Sequence, residues 1–135
     1  MKPGRLAGVA IAAVLALAGC SGEAGEPRQA AGAVTRWKSG DQVRVEGRVV
    51  RILADDRDGS PHQRFVIEVD RGATLLVAHN LDLAPRLEGL SVGEQVVVFG
   101  QYEWNERGGT LHWTHDDPQG RHPAGYVEWR GRRYQ

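Results

Sequence analysis

From Asp41 to His115 the apolar residues recur at every second position in short runs, and each run is bounded by Gly, Pro, Asn or Asp. Period two is the signature of strands with one buried face. Asp41 to Leu53 places Val43, Val45, Gly47 and Val49 on one face, with charges between them, and Gly47 in mid-strand predicts a bend or bulge. Asp55 to Pro61 is a turn cluster. Arg64 to Asp70 sets Phe65, Ile67 and Val69 on one face; Arg71-Gly72 turns tightly, and Thr74 to His79 forms a third strand. In Asn80 to Leu90, Asp82 can cap a short helix, Pro85 fits its first turn and Gly89 its end. Ser91 to Trp104 is a fourth strand bent at Gly100, Asn105 to Gly109 a hairpin loop, and Thr110 to His115 a fifth strand. Tyr126 to Trp129 reads as a short extra strand before a turn at Gly131.

Three strands, a short helix and two strands is the order of the OB-fold, a five-stranded Greek-key barrel. The expected class is therefore all-β, an OB-like barrel with a helix between strands three and four. The rival, an SH3-like barrel, lacks a helix at that position.

The chain opens differently. Lys2 and Arg5 precede an unbroken apolar or small run from Leu6 to Ala18. That run falls short of the roughly 20 residues of a membrane span and fits the core of a signal peptide. It ends in Leu17-Ala18-Gly19-Cys20, which looks like a lipobox, and Cys20 is the only cysteine, so it has no disulfide partner within the chain. The expectation is a lipoprotein signal peptide over 1–19, lipid on Cys20, and a membrane tether through that residue. Ser21 follows Cys20; in a Gram-negative host that implies the outer membrane, facing the periplasm. Residues 20–34 then form a lipidated, small and polar tether, and 35–135 a single domain large enough for one core.

Charge narrows the partners. The chain has 17 Lys plus Arg and 17 Asp plus Glu. Losing Lys2 and Arg5 leaves 15 against 17, a net charge of −2. No basic surplus points to nucleic acid.

Several long segments carry a family resemblance: His79-Asn80-Leu81-Asp82-Leu83-Ala84-Pro85-Arg86, Tyr102-Glu103-Trp104-Asn105, and Gly109-Thr110-Leu111-His112-Trp113-Thr114-His115 followed by Asp117-Pro118. His122, Gly125 and the Tyr134-Gln135 ending also fit. From His62 to Gln135 the chain resembles a bacterial family of small exported proteins, domain-of-unknown-function family 3465. The resemblance implies a family and no activity.

All five histidines, His62, His79, His112, His115 and His122, lie between positions 62 and 122. With Asn80, Asp82 and Asp117 they supply acid–base groups or metal ligands. In an OB barrel the third and fifth strands are parallel neighbours, so their carboxyl ends share one rim. His79-Asn80 and Thr114-His115 end those strands, and Asp82, Asp117 and His122 follow in the loops. The candidate rim site is therefore His79, Asn80, Asp82, His115, Asp117 and His122. Of these, His79, His115, Asp117 and His122 could hold a divalent metal such as zinc. On a regular strand His112 points away from His115, because the side-chain period is two. The plainer reading is a polar network in which Asn80 and Asp82 cap and the histidines donate to loop carbonyls. His62, His112, Arg64, Arg86 and Trp104 are secondary candidates. The two arginines could hold an anion but more readily pair with Glu or Asp. Tyr102, Trp104 and Trp113 alternate on the terminal hairpin and read as core before they read as a stacking platform.

No thiol free of lipid and no Ser in a nucleophile elbow is present. Three functions remain open: a tethered module binding an envelope ligand or protein, a metal-dependent hydrolase of phosphodiesters or nucleic acid using the rim, and a structural envelope protein.

Overall fold

The structure, a computed structural model, describes residues 37–135; Cys20 and the segments expected to be signal peptide and tether lie outside the described residues. Seven strands form one sheet: β1 (Gln42–Ile52), β2 (His62–Glu68), β3 (Thr74–Asn80), β4 (Gln95–Glu103), β5 (Thr110–His112), β6 (Tyr126–Trp129) and β7 (Arg132–Tyr134). Their order is β1-β2-β3-β5-β4, and β4 returns to pair with β1, which closes a five-stranded barrel. β3 and β5 are the parallel pair, with Val77 beside Leu111. This is an OB-like barrel. The β6–β7 hairpin continues the sheet from β4.

The alternation fixes the inside. Val43, Val45, Val49, Phe65, Ile67, Leu75, Val77, Val96, Val98, Tyr102 and Leu111 are all buried and pack as one core with Val127, Trp129 and Tyr134 of the last hairpin. Burial on this scale, at roughly 25 cal/mol per Å² of apolar surface, dominates the stability. β1 does contain a bulge, but at Val50, where its register against β2 slips between Val49 and Arg51. Gly47 serves close approach: a Cβ there would stand 2.9 Å from the Glu68 carbonyl oxygen and 3.1 Å from the Ile67 side chain.

The helix expected between the third and fourth strands is absent. Asn80 makes an Asx turn instead, its Oδ1 accepting the Asp82 N–H (2.8 Å), and one α-type bond runs from Ala84 N–H to the Asn80 carbonyl (3.1 Å). Pro85 comes next and has no N–H to continue the ladder. The loop is held from outside. The buried Gln63 amide accepts from Leu87 N–H (2.9 Å) and donates to the Leu87 carbonyl (3.1 Å), which seats the Leu87 side chain in the core. Arg86 pairs with Asp55 of the β1–β2 loop.

Candidate functional site

The fifth barrel strand ends early. β5 stops at His112 opposite Gln101, and β6 resumes at Tyr126 opposite Phe99. Along β4 only Gly100 separates those two partners, so Gly125 falls in the next register position and the ladder carries on as if 113–124 were not there. These residues form an excursion from an otherwise continuous strand. Gly125 N–H donates to the His115 carbonyl (2.9 Å) and closes its neck.

Two glycines make the crossing passable. A Cβ on Gly125 would lie 1.9 Å from the Trp113 carbonyl oxygen, and one on Gly100 would lie 2.5 Å from that of His112. Trp113 makes the exit with φ 57°, a left-handed conformation that costs a bulky residue roughly 1–2 kcal/mol. That twist breaks the alternation. Thr114 and His115 are buried, while Trp113 is only half-buried.

The root of the excursion is locked to β3. His79 is fully buried. Its Nε2 lies 3.1 Å from the Pro85 carbonyl oxygen and its Nδ1 2.7 Å from Thr114 Oγ1. A carbonyl can only accept, so Nε2 carries a hydrogen. Burial, followed by repulsion from His115, lowers the pKa to about 4, so near neutral pH the ring is uncharged and Nδ1 accepts from the threonine hydroxyl. Beyond the root, His115 donates from Nδ1 to the Asp116 carbonyl (2.7 Å).

The tip is organised by one carboxylate. Asp117 Oδ1 accepts from Gln119 N–H (2.8 Å), and Oδ2 accepts from the N–H groups of Arg121 (2.7 Å) and His122 (2.9 Å). These bonds hold its pKa below the usual carboxylate range. They also deliver the His122 ring onto Trp113, stacked at 3.8 Å between centroids and 19° between planes. The His115 ring lies 5.4 Å from the same indole.

The rim candidates therefore divide. His79, His115, Asp117 and His122 all belong to the root or tip of one excursion, whereas Asn80 and Asp82 make the neighbouring turn, with Asp82 exposed. Among the described residues no three His, Cys, Asp or Glu side chains gather in a way that could hold a metal ion. His62 donates from Nδ1 to the Ser60 carbonyl (2.7 Å). His112 stays on the outer face with Nε2 3.7 Å from Glu103, and burial lowers its pKa. Arg64 donates to the Ala54 carbonyl (3.0 Å), and Arg86 holds Asp55, so both arginines brace the β1–β2 loop. Of the three aromatics expected in the core, only Tyr102 is there: Trp104 is 60% exposed, because it follows the last β4 residue, and Trp113 is turned out by its left-handed backbone. Sequence reasoning missed Thr114 and Gln63. Gln63 could have been found by extending the Phe65–Ile67 face back by one step of two.

A family model described as "Protein of unknown function (DUF3465)" matches residues 14–135. The chain belongs to the DUF3465 family. The match takes in Cys20 and every strand of the barrel, the excursion included. Comparisons with curated proteins and with solved structures returned no match. In this DUF3465 protein the segments that carry the family resemblance, 79–86, 102–105 and 109–118, coincide with the β3 end, the β4–β5 hairpin and the first half of the excursion.

Proposed function

We propose that this DUF3465 protein is a binding module of the cell envelope, exported, lipidated on Cys20, and recognising its ligand or protein partner through the 113–124 excursion. One observation carries this reading: the strand is interrupted, at the expense of a left-handed tryptophan, to display a loop whose shape is fixed at neck, root and tip. Ordering a loop costs roughly 1–2 kcal/mol of backbone entropy per residue. A barrel selected only to fold would run β5 straight into β6. Compact loops with closed ends are recurrent recognition elements. The Trp113–His122 stack and the Asp117-ordered turn provide the recognition surface, while His79 and Thr114 act as its foundation. Hydrolysis at this rim is the weaker reading, because both His79 nitrogens are spent on protein partners and Asp117 is spent on backbone N–H groups.

The test uses a photo-crosslinking amino acid placed in living cells at Gln119, on the excursion, or at Glu106, at the other end of the barrel. A discrete adduct from position 119 that disappears with His122→Ala, and that position 106 does not give, is expected. Identical patterns from both positions would sink the proposal. Elemental analysis of protein purified without an affinity tag checks the hydrolase reading, which stoichiometric metal would restore. For the anchor, Cys20→Ala should leave the protein soluble or unprocessed; unchanged fractionation and mass would remove lipidation from the reading.

A further inference from the structure

Trp104 has an unusual address. It is 60% exposed and follows the last residue of β4. Its backbone N–H donates to Ser39 Oγ (2.9 Å), while Gly40 N–H donates to the Tyr102 carbonyl (2.8 Å) and the Trp37 ring packs edge-on against Tyr102 at 5.7 Å. The chain arriving from Cys20 therefore enters the barrel beside this indole. The position is also firmly held. Asn105 Oδ1 accepts from the N–H groups of Arg107 (2.9 Å) and Gly109 (3.0 Å), and its Nδ2 donates to Thr110 Oγ1 (3.1 Å). Gly108 and Gly109 sit at φ 114° and 109°, packed so tightly on Thr74 and Tyr102 that neither admits a Cβ. Strand direction puts the β3 and β5 ends, and with them the root of the excursion, at the other end of the barrel.

We propose that Trp104 is an interfacial anchor. Its ring enters the headgroup region of the membrane that holds Cys20, so the barrel sits with the β4–β5 hairpin on the lipid and the excursion facing away. The inference rests on the lipid anchor proposed above. Indole has an apolar body and one N–H donor, a combination enriched at membrane–water interfaces. One indole alone binds a bilayer weakly. Trp37 lies seventeen residue steps beyond Cys20, which at about 3.3–3.6 Å each cannot exceed roughly 60 Å, and such a tether makes the contact intramolecular with a high effective concentration.

The experiment takes the full-length lipidated protein in vesicles of phosphatidylethanolamine and phosphatidylglycerol with brominated acyl chains and reads quenching of tryptophan emission. Wild type and Trp113→Phe should be quenched alike, and Trp104→Phe should lose most of the quenching while still floating with the vesicles. If Trp104→Phe floats and is quenched as wild type is, the anchor on Cys20 stands and the docking role of Trp104 falls. Quenching absent from wild type, with a concentration-dependent dimer abolished by Trp104→Phe, would assign the indole to a second copy of the chain instead. Failure of wild type to float, with no lipid mass on Cys20, overturns both.

Discussion

The excursion at 113–124 and the β6–β7 hairpin that follows it both extend from the edge of β4, yet opposite kinds of contact hold them. The excursion hangs on buried polar groups, His79 and Thr114, and on backbone carbonyls that almost touch glycines. The hairpin turns at Arg130 and Gly131 with both residues at positive φ, packs Val127, Trp129 and Tyr134 into the core, and covers its outer side with exposed ion pairs, Arg130 with Glu94 and Arg133 with Glu128. Arg130 also lies 4.4 Å over Trp129 and Arg133 lies 3.7 Å over Tyr126. A shallow groove of about 400 Å³ runs beside it, lined in part by Trp129, Arg132 and Glu128. The difference lies in tolerance. Buried polar contacts fail abruptly when one partner goes, whereas solvated ion pairs contribute little and can be exchanged.

The largest effect is expected at the crossing. Gly125→Ala places a methyl against two backbone carbonyls that cannot rotate away, so the loss of stability should reach or pass the usual overpacking range of roughly 1–3 kcal/mol. A melting curve like that of wild type would mean the strand can run past the excursion without the tight crossing.

Acid should act next, through His79. The unfolded histidine titrates near 6.5 and the folded one near 4. Between those values the unfolded chain binds more protons, so the contribution of His79 is complete above pH 6.5, declines as pH falls, and is gone below about pH 4. At about 1.36 kcal/mol per unit of displacement the loss is on the order of 3 kcal/mol. Denaturant titrations across that range should show a slope that His79→Gln flattens, and an unaltered slope would place the acid sensitivity elsewhere.

Thr114→Val keeps the shape and removes the hydroxyl, which leaves His79 Nδ1 buried without its donor. About 1–3 kcal/mol should be lost, with hydrogen exchange rising at the excursion before the barrel strands. The smallest effect belongs to the hairpin: Arg133→Ala should leave the melting temperature where it was. A clear drop there would erase the contrast between the two regions.

The barrel was legible because its evidence is periodic. Alternation located five strands and most of their inward residues, and counting strands about the loops led to the topology. What escaped depends on single residues. Pro85 fits the first turn of a helix, but one proline after a self-capping Asn80 stops the turn as readily as it starts one. Period two puts Trp113 on the Leu111 face, and a strand read from pattern cannot announce that one residue goes left-handed. Topology alone points to the rim residues. Their division into a foundation and an exposed tip follows from Thr114 and Asp117, whose partners are a distant ring and backbone N–H groups that carry no sequence signal.

The hydrogen bond between His115 and Gly125 makes the segment beyond it an interchangeable cartridge. Because the ladder on β4 resumes in register, residues 116–124 can lengthen or shorten without shifting a barrel residue, and doubling such a loop adds only about 0.6 kcal/mol in closure entropy. The positions that such a change must leave alone are His79, Thr114, Gly100 and Gly125, which hold the root and the crossing.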